Sequence, residues 1–136
     1  MKRKRLVVLL CMCCLPALSG LARASYFDGM EAQRQNDYQT ALREFKSAED
    51  DPRALYMVGV IYEKGDGVKQ DYAEAAKWYL KAADKGDPAA QYRLGRLYER
   101  GEGVGQSMDE AIKLYKKAAK LGHVDARQAL KRITTE

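Results

Sequence analysis

Ala90-Gln91-Tyr92-Arg93-Leu94-Gly95-Arg96-Leu97-Tyr98-Glu99-Arg100-Gly101-Glu102-Gly103-Val104 repeats the grammar of Ala54 to Val68, 36 residues earlier. Carried on without a gap, residues 54–86 and 90–122 agree at 17 of 33 positions, far beyond what shared composition gives. Self-similarity at such a period means one supersecondary unit copied and stacked. The architecture is therefore a repeat array.

Working outward, each copy reads as two helices joined by a glycine-bearing turn. In the first copy the helices are expected over about 52–64 and 71–85, joined by Lys64-Gly65-Asp66-Gly67-Val68-Lys69-Gln70. Pro52 suits a first helical position, where its missing N–H costs nothing. Asp71 with Glu74, and Ser107 with Glu110, form two capping boxes one period apart, each opening a second helix. The buried face of these second helices reads Tyr72, Ala75, Ala76, Tyr79, Ala82, Ala83 and then Met108, Ala111, Ile112, Tyr115, Ala118, Ala119. Small residues allow close approach, and one aromatic fills the gap. Gly59 and Gly95 sit mid-helix, where glycine costs about 1 kcal/mol relative to alanine. A cost repeated at the same register implies that a neighbouring helix crosses there at short distance.

Upstream, Tyr38, Ala41, Leu42, Phe45 and Ala48 form one face of a helical period, after an Asn36-Asp37 turn. Downstream of Gly122, a last helix over about 124–133 keeps Ala126 and Leu130 but carries Gln128 and Lys131 where tyrosine and glycine are expected. A face turned polar is how a solenoid is capped.

The first 24 residues are different material. Lys2-Arg3-Lys4-Arg5, an apolar run from Leu6 to Leu15 and the small-residue end Ala22-Arg23-Ala24 read as a signal peptide cleaved before Ser25. The apolar run is shorter than a membrane span, so no stable anchor is expected after cleavage. The expected location is periplasmic or secreted. Cys11, Cys13 and Cys14 all fall in this leader, and Leu10, Met12 and Cys13 before them match poorly to the small residue a lipidated cysteine needs. The whole chain has a net charge of +5, but five basic residues and no acidic ones lie in the leader. The remainder is formally neutral, which removes the electrostatic basis for nucleic-acid binding.

The string Ala-x-Tyr-x-(Val/Leu)-Gly-x-x-Tyr-x-x-Gly-x-Gly-Val, completed by Tyr79/Tyr115, Ala82-Ala83/Ala118-Ala119 and Gly86/Gly122, resembles the SEL-1-like repeat. Residues 26–53, through Gly29, Ala32, Tyr38, Ala41, Phe45, Ala48 and Pro52, are similar to the tetratricopeptide form instead. Val58, Leu114 and Gly105 depart from the usual leucine, tryptophan and proline or lysine. The resemblance implies an all-α fold: a short right-handed α/α solenoid of about three helix hairpins plus a C-terminal capping helix. Its units are a leader over 1–24, a tetratricopeptide-like repeat over 25–53, SEL-1-like repeats over 54–89 and 90–123, and a capping helix with tail over 124–136. It implies binding of proteins or peptides, often in bacterial envelope assembly.

Catalysis finds little to build on. Beyond the leader there are one histidine, three serines and no cysteine, and no serine is followed by lysine three positions on. Ser107 reads as a helix cap and His123 as a solvated loop residue. Gly65-x-Gly67 and Gly101-x-Gly103 follow helices rather than strands, so they are turns and not phosphate loops. No cofactor or metal is expected. Some exported relatives are laced with disulfides and linked to β-lactam chemistry, which this cysteine-poor chain does not match.

By the same resemblance, the first helix of each unit lines a concave groove. The ligand-facing positions map to Met30, Gln33 and Arg34; to Arg53, Tyr56, Val60, Glu63 and Lys64; to Tyr92, Arg96, Glu99 and Arg100; and to Gln128 and Arg132. Arg34, Tyr56, Lys64, Tyr92, Arg96, Arg100 and Arg132 are the expected peptide contacts, stacked into one band that suits an extended, acidic peptide or a free C-terminal carboxylate. Glu63 and Glu99 work against this if each pairs with its neighbouring basic residue. The alternative is a structural component of an envelope or secretion assembly, docked through the solenoid's flank, and a third reading is a small cell-wall or β-lactam hydrolase.

Overall fold

A computed structural model describes residues 17–135. The basic run Lys2–Arg5 and the three cysteines of the expected leader lie outside the described residues. Seven helices follow one another among those described: α1 (Ala17–Arg34), α2 (Tyr38–Ser47), α3 (Pro52–Lys64), α4 (Tyr72–Asp84), α5 (Pro88–Arg100), α6 (Met108–Lys120) and α7 (Val124–Thr134). None of them is long and apolar enough to cross a membrane. The helix α1 runs without a break through Ala24 and Ser25, the expected cleavage point.

The helices pair in sequence as hairpins, α1 with α2, α3 with α4 and α5 with α6, and each hairpin packs on the next. This is an all-α helical repeat solenoid. Its register is written in the caps. Asp51 and Asp87 accept from the first turns of α3 and α5, and His123 Nδ1 accepts from Ala126 N at 3.3 Å to open α7. His123 is therefore not a free loop residue. It fills the N-cap slot 36 residues after Asp87, which is itself 36 after Asp51.

Mid-helix glycine has a specific cause. A Cβ on Gly95 would stand 2.7 Å from Tyr115 Cε1, and on Gly59 2.5 Å from Tyr79 Cε1. In the first hairpin Phe45 lies on Gly29 in the same way, at 2.6 Å. The expected close crossing thus takes the form of an aromatic ring from the second helix laid on the first. These rings are fully buried, and alanines at 41, 75, 82, 111 and 118 surround them.

The seven-residue turn between α3 and α4 is four longer than the 35–37 turn between α1 and α2. The extra length reaches the preceding hairpin. Gln39 Nε2 donates to Gly67 O at 2.6 Å, and Gly103 is so close to the start of α4 that a Cβ would overlap the Tyr72 carbonyl carbon. These turns half-cover Tyr38 and Tyr72. Met108, the equivalent residue of α6, was expected on the buried face but is 43% exposed. The reason is that no such turn covers it among the described residues.

Candidate functional site

Side-chain pairs connect the first helices on one face. Arg93 of α5 reaches Glu63 of α3 at 3.1 Å, and Arg132 of α7 reaches Glu99 of α5 at 2.5 Å. Both glutamates also accept a tyrosine hydroxyl from the second helix of their own hairpin: Tyr79 to Glu63, and Tyr115 to Glu99 at 2.5 Å. A buried aromatic, a groove carboxylate and an arginine from the next unit thus recur as one constellation. Burial first, and then the hydrogen bond to glutamate, push both tyrosine hydroxyls well above their ordinary value. Burial opposes ionisation of Glu99, but the bonds from Tyr115 and Arg132 outweigh it and hold the carboxyl below its usual value. For Arg93, burial again opposes the charge and the Glu63 carboxylate overcomes it, raising the guanidinium.

The arginine is the variable member. Counting by the repeat, Phe27, Met57, Arg93 and Ala129 share one position, and Gln33, Glu63 and Glu99 another. The three junctions between successive first helices therefore differ. Between α3 and α5, Arg93 bridges directly to Glu63. Between α5 and α7, the position holds Ala129, Arg132 reaches across from one turn further on, and a cavity of about 570 Å³ is left open. It is lined by Tyr92, Arg96, Glu99, Arg100, Tyr115, Asp125, Gln128, Ala129 and Arg132. Between α1 and α3, the constellation becomes Phe45, Gln33 and Met57. The cavity there, about 630 Å³, is lined by Phe27, Met30, Glu31, Gln33, Arg34 and Met57.

The structure thus brings Tyr92, Arg96, Arg100 and Arg132 together at the α5–α7 junction. Arg34 stands at the other end and pairs with Glu31 at 2.5 Å. Tyr56 packs on Tyr79 with ring centres 5.7 Å apart, and Lys64 is exposed away from both cavities. The seven residues are divided between sites and do not form one band. The two groove glutamates form their salt bridges with arginines of the next first helix, Arg93 and Arg132, and not with their sequence neighbours Lys64 and Arg100. Among the described residues, neither Arg96 nor Arg100 holds a salt bridge. Arg96 lies 6.0 Å over the Tyr92 ring, which also stacks on His123 at 4.7 Å and packs on Tyr115 at 5.7 Å.

Sequence reasoning missed Phe27, Met57, Asp125 and Ala129 because it followed the positions that repeat. For Phe27, Met57 and Ala129 the signal was in a column that varies, in which the α5 residue is Arg93. No group of three or more histidine, cysteine, aspartate or glutamate side chains among the described residues is arranged to hold a metal ion.

Two aligned helix hairpins, each built on a tyrosine laid over a glycine and a carboxylate-capped groove, define a helical repeat scaffold. Residues 52–87 and 88–123 each match the Sel1 repeat, more than half of the chain, and the protein belongs to the Sel1 repeat family. Sel1 repeats are generally non-catalytic scaffolds for protein–protein interaction. Among solved structures, the chain is similar to a Sel1 repeat protein from Oxalobacter formigenes, at 36% identity and a TM-score of 0.77 over 80% of this chain and 46% of that one. It is also similar to c5321, a protective antigen of uropathogenic Escherichia coli with an SLR fold, at 33% identity and a TM-score of 0.78 over 84% of this chain and 26% of that one. Cysteine-rich protein B of Helicobacter pylori shares 26% identity and a TM-score of 0.69 over 85% of this chain and 92% of that one. The chain thus spans less than half the length of the first two. No curated protein matches it.

Proposed function

We propose that this protein is an exported, non-enzymatic adaptor of the bacterial cell envelope that captures a protein or extended peptide on the face formed by its first helices. The observation that carries this reading is the α5–α7 cavity, where Arg96 and Arg100 share a wall with Tyr92 and neither is held in a salt bridge among the described residues. An arginine's planar fork suits a carboxylate, and the tyrosine offers an apolar surface next to it. The preferred ligand is accordingly acidic, or presents a C-terminal carboxylate, and is not nucleic acid. Export rests on the leader-like first 24 residues, after whose removal basic and acidic residues balance.

The test is affinity capture from an envelope extract, comparing wild type with a folded Arg96→Ala/Arg100→Ala variant at low and high salt. Loss of a specific partner that is greatest at low salt supports the groove. Capture unchanged in the variant moves the contact to the flank and favours a structural role. Mass spectrometry of the exported protein decides the leader: an N-terminus at Ser25 is expected, and one at Met1 overturns export by cleavage.

A further inference from the structure

The two cavities occupy equivalent places in the repeat, on one face, with the Arg93–Glu63 bridge between them. Their chemistry is opposite. At the α1–α3 end the cavity is walled by Phe27, Met30 and Met57, with Phe27 61% and Met30 39% exposed. The Glu31–Arg34 pair at this end is self-neutralising. Methionine and phenylalanine make an adaptable apolar wall that takes a range of side chains. At the α5–α7 end three guanidinium groups face two carboxylates, Glu99 and Asp125, so the cavity keeps an excess of one positive charge. Glu99 and Arg132 bridge each other there, which leaves Arg96 and Arg100 outside any salt bridge, facing the one further carboxylate of Asp125, so that one positive charge remains for a ligand.

We propose that a single extended peptide is read at two points on this face: an apolar side chain enters the α1–α3 cavity, and a carboxylate is held by Arg96 and Arg100 in the α5–α7 cavity. The inference rests on the peptide-binding reading above and adds to it the ligand's pattern. The junctions are two first-helix steps apart. At roughly 10 Å per packed helix this is about 20 Å. An extended chain rises about 3.3 Å per residue, so the apolar anchor and the carboxylate are separated by roughly six residues. Exposed apolar wall at one end and arginine outside any salt bridge at the other are complementary to such a peptide and to neither a uniformly acidic nor a uniformly apolar one. The carboxylate belongs either to an Asp or Glu side chain or to the peptide's own C-terminus.

Panning the purified protein against random dodecapeptides tests this without a known partner, using one library with free C-termini and one fused to carrier at both ends. The expected result is enrichment of sequences that combine a large apolar residue with an acidic residue or terminus about six positions away. Enrichment in both libraries assigns the carboxylate to a side chain; enrichment with free C-termini alone assigns it to the terminus. A synthetic, fluorescein-labelled peptide of the selected sequence should bind about tenfold more weakly to Phe27→Ser/Met30→Ser, which removes apolar burial, and to Arg96→Ala/Arg100→Ala, which removes a charge-assisted anchor. Arg96→Gln/Arg100→Gln, with folding checked by circular dichroism, stands in for the alanine pair if that pair unfolds. Selected peptides that bind with only one anchor, or with no fixed spacing, overturn the two-point inference and leave peptide binding intact. No enrichment from either library overturns the peptide-binding reading itself.

Discussion

The α1–α3 and α5–α7 junctions are the same construction carried to opposite ends. In each, an aromatic ring of a second helix lies on a glycine of the first, Phe45 on Gly29 and Tyr115 on Gly95. In each, a cavity opens beside the next first helix. One is walled by Phe27, Met30 and Met57, the other by Arg96, Arg100 and Arg132. Hydroxyl and carboxylate change together, Tyr115 to Phe45 and Glu99 to Gln33, and the wall changes with them: Arg96 becomes Met30, and Ala129, beside which Arg132 reaches in, becomes Met57. A buried tyrosine hydroxyl needs an acceptor, and a half-buried carboxylate needs a cation, so losing one removes the reason for the others. Scaffold and chemistry are thereby separable in this fold.

The largest effect should come from breaking what the two ends share. Gly95→Leu and Gly29→Leu both drive a side chain into a ring, and each is expected to cost about 1–3 kcal/mol or more, since a Cβ alone would already stand 2.7 Å from Tyr115 and 2.6 Å from Phe45. Urea denaturation measures it. Both variants stable to within about 0.5 kcal/mol of wild type would show that the ring-on-glycine contact is not the common element. At Gly95 the Ala111 carbonyl oxygen, 3.4 Å from the would-be Cβ, adds a second obstacle.

That shared element was the most legible part of the sequence. Glycines at 59 and 95 and tyrosines at 79 and 115 keep one spacing, and the glycine's cost pointed to a contact, though not to a ring as the thing contacted. The helix bounds followed from Pro52, Asp71 and Ser107, whose effects are local. The groove was less legible. Which arginine meets which glutamate depends on the crossing of α5 over α3 and α7 over α5, and no spacing within one helix encodes it. Even so, Met57 opposite Arg93 was available from the same alignment that revealed the repeat, while Phe27 and Ala129 lie outside its bounds.

A smaller effect separates the two ends. Tyr115→Phe makes the α5–α7 junction resemble the α1–α3 junction by deleting the bond to Glu99, at an expected cost of about 1–2 kcal/mol. A double-mutant cycle with Glu99→Gln should show positive coupling between the two positions. Additive effects would mean that hydroxyl and carboxylate act independently, against the concerted change described above. Arg93→Ala comes next. It unbolts the middle junction, and because its partner Glu63 keeps the Tyr79 bond, the expected loss is about 0.5–1 kcal/mol by thermal or denaturant unfolding. A loss above about 3 kcal/mol would make the bridge a structural necessity of the solenoid.

The smallest effect is a pH dependence present at one end only. Glu99 is held below its ordinary carboxyl value of 4.5 in the folded protein by Tyr115 and Arg132, against the opposing effect of burial. Its unfolded form therefore binds a proton at higher pH than its folded form. The stabilisation is complete above the unfolded value and is lost as pH falls through the folded one. Gln33, in the same place at the α1–α3 end, does not titrate and contributes nothing of this kind. Other carboxyls would blur a simple acid titration. Hydrogen bonding, led by Arg53, lowers Asp51, whereas burial raises Asp87, which titrates with the opposite sign. The measurement is therefore a difference: the unfolding free energy of wild type minus that of Glu99→Gln, between pH 6.5 and pH 3. The advantage of wild type should shrink as the pH falls below about 4.5 and approach a constant low value. A difference that stays level across this range would mean that Glu99 is no better solvated by its partners than by water, and the charged constellation would then contribute to recognition alone.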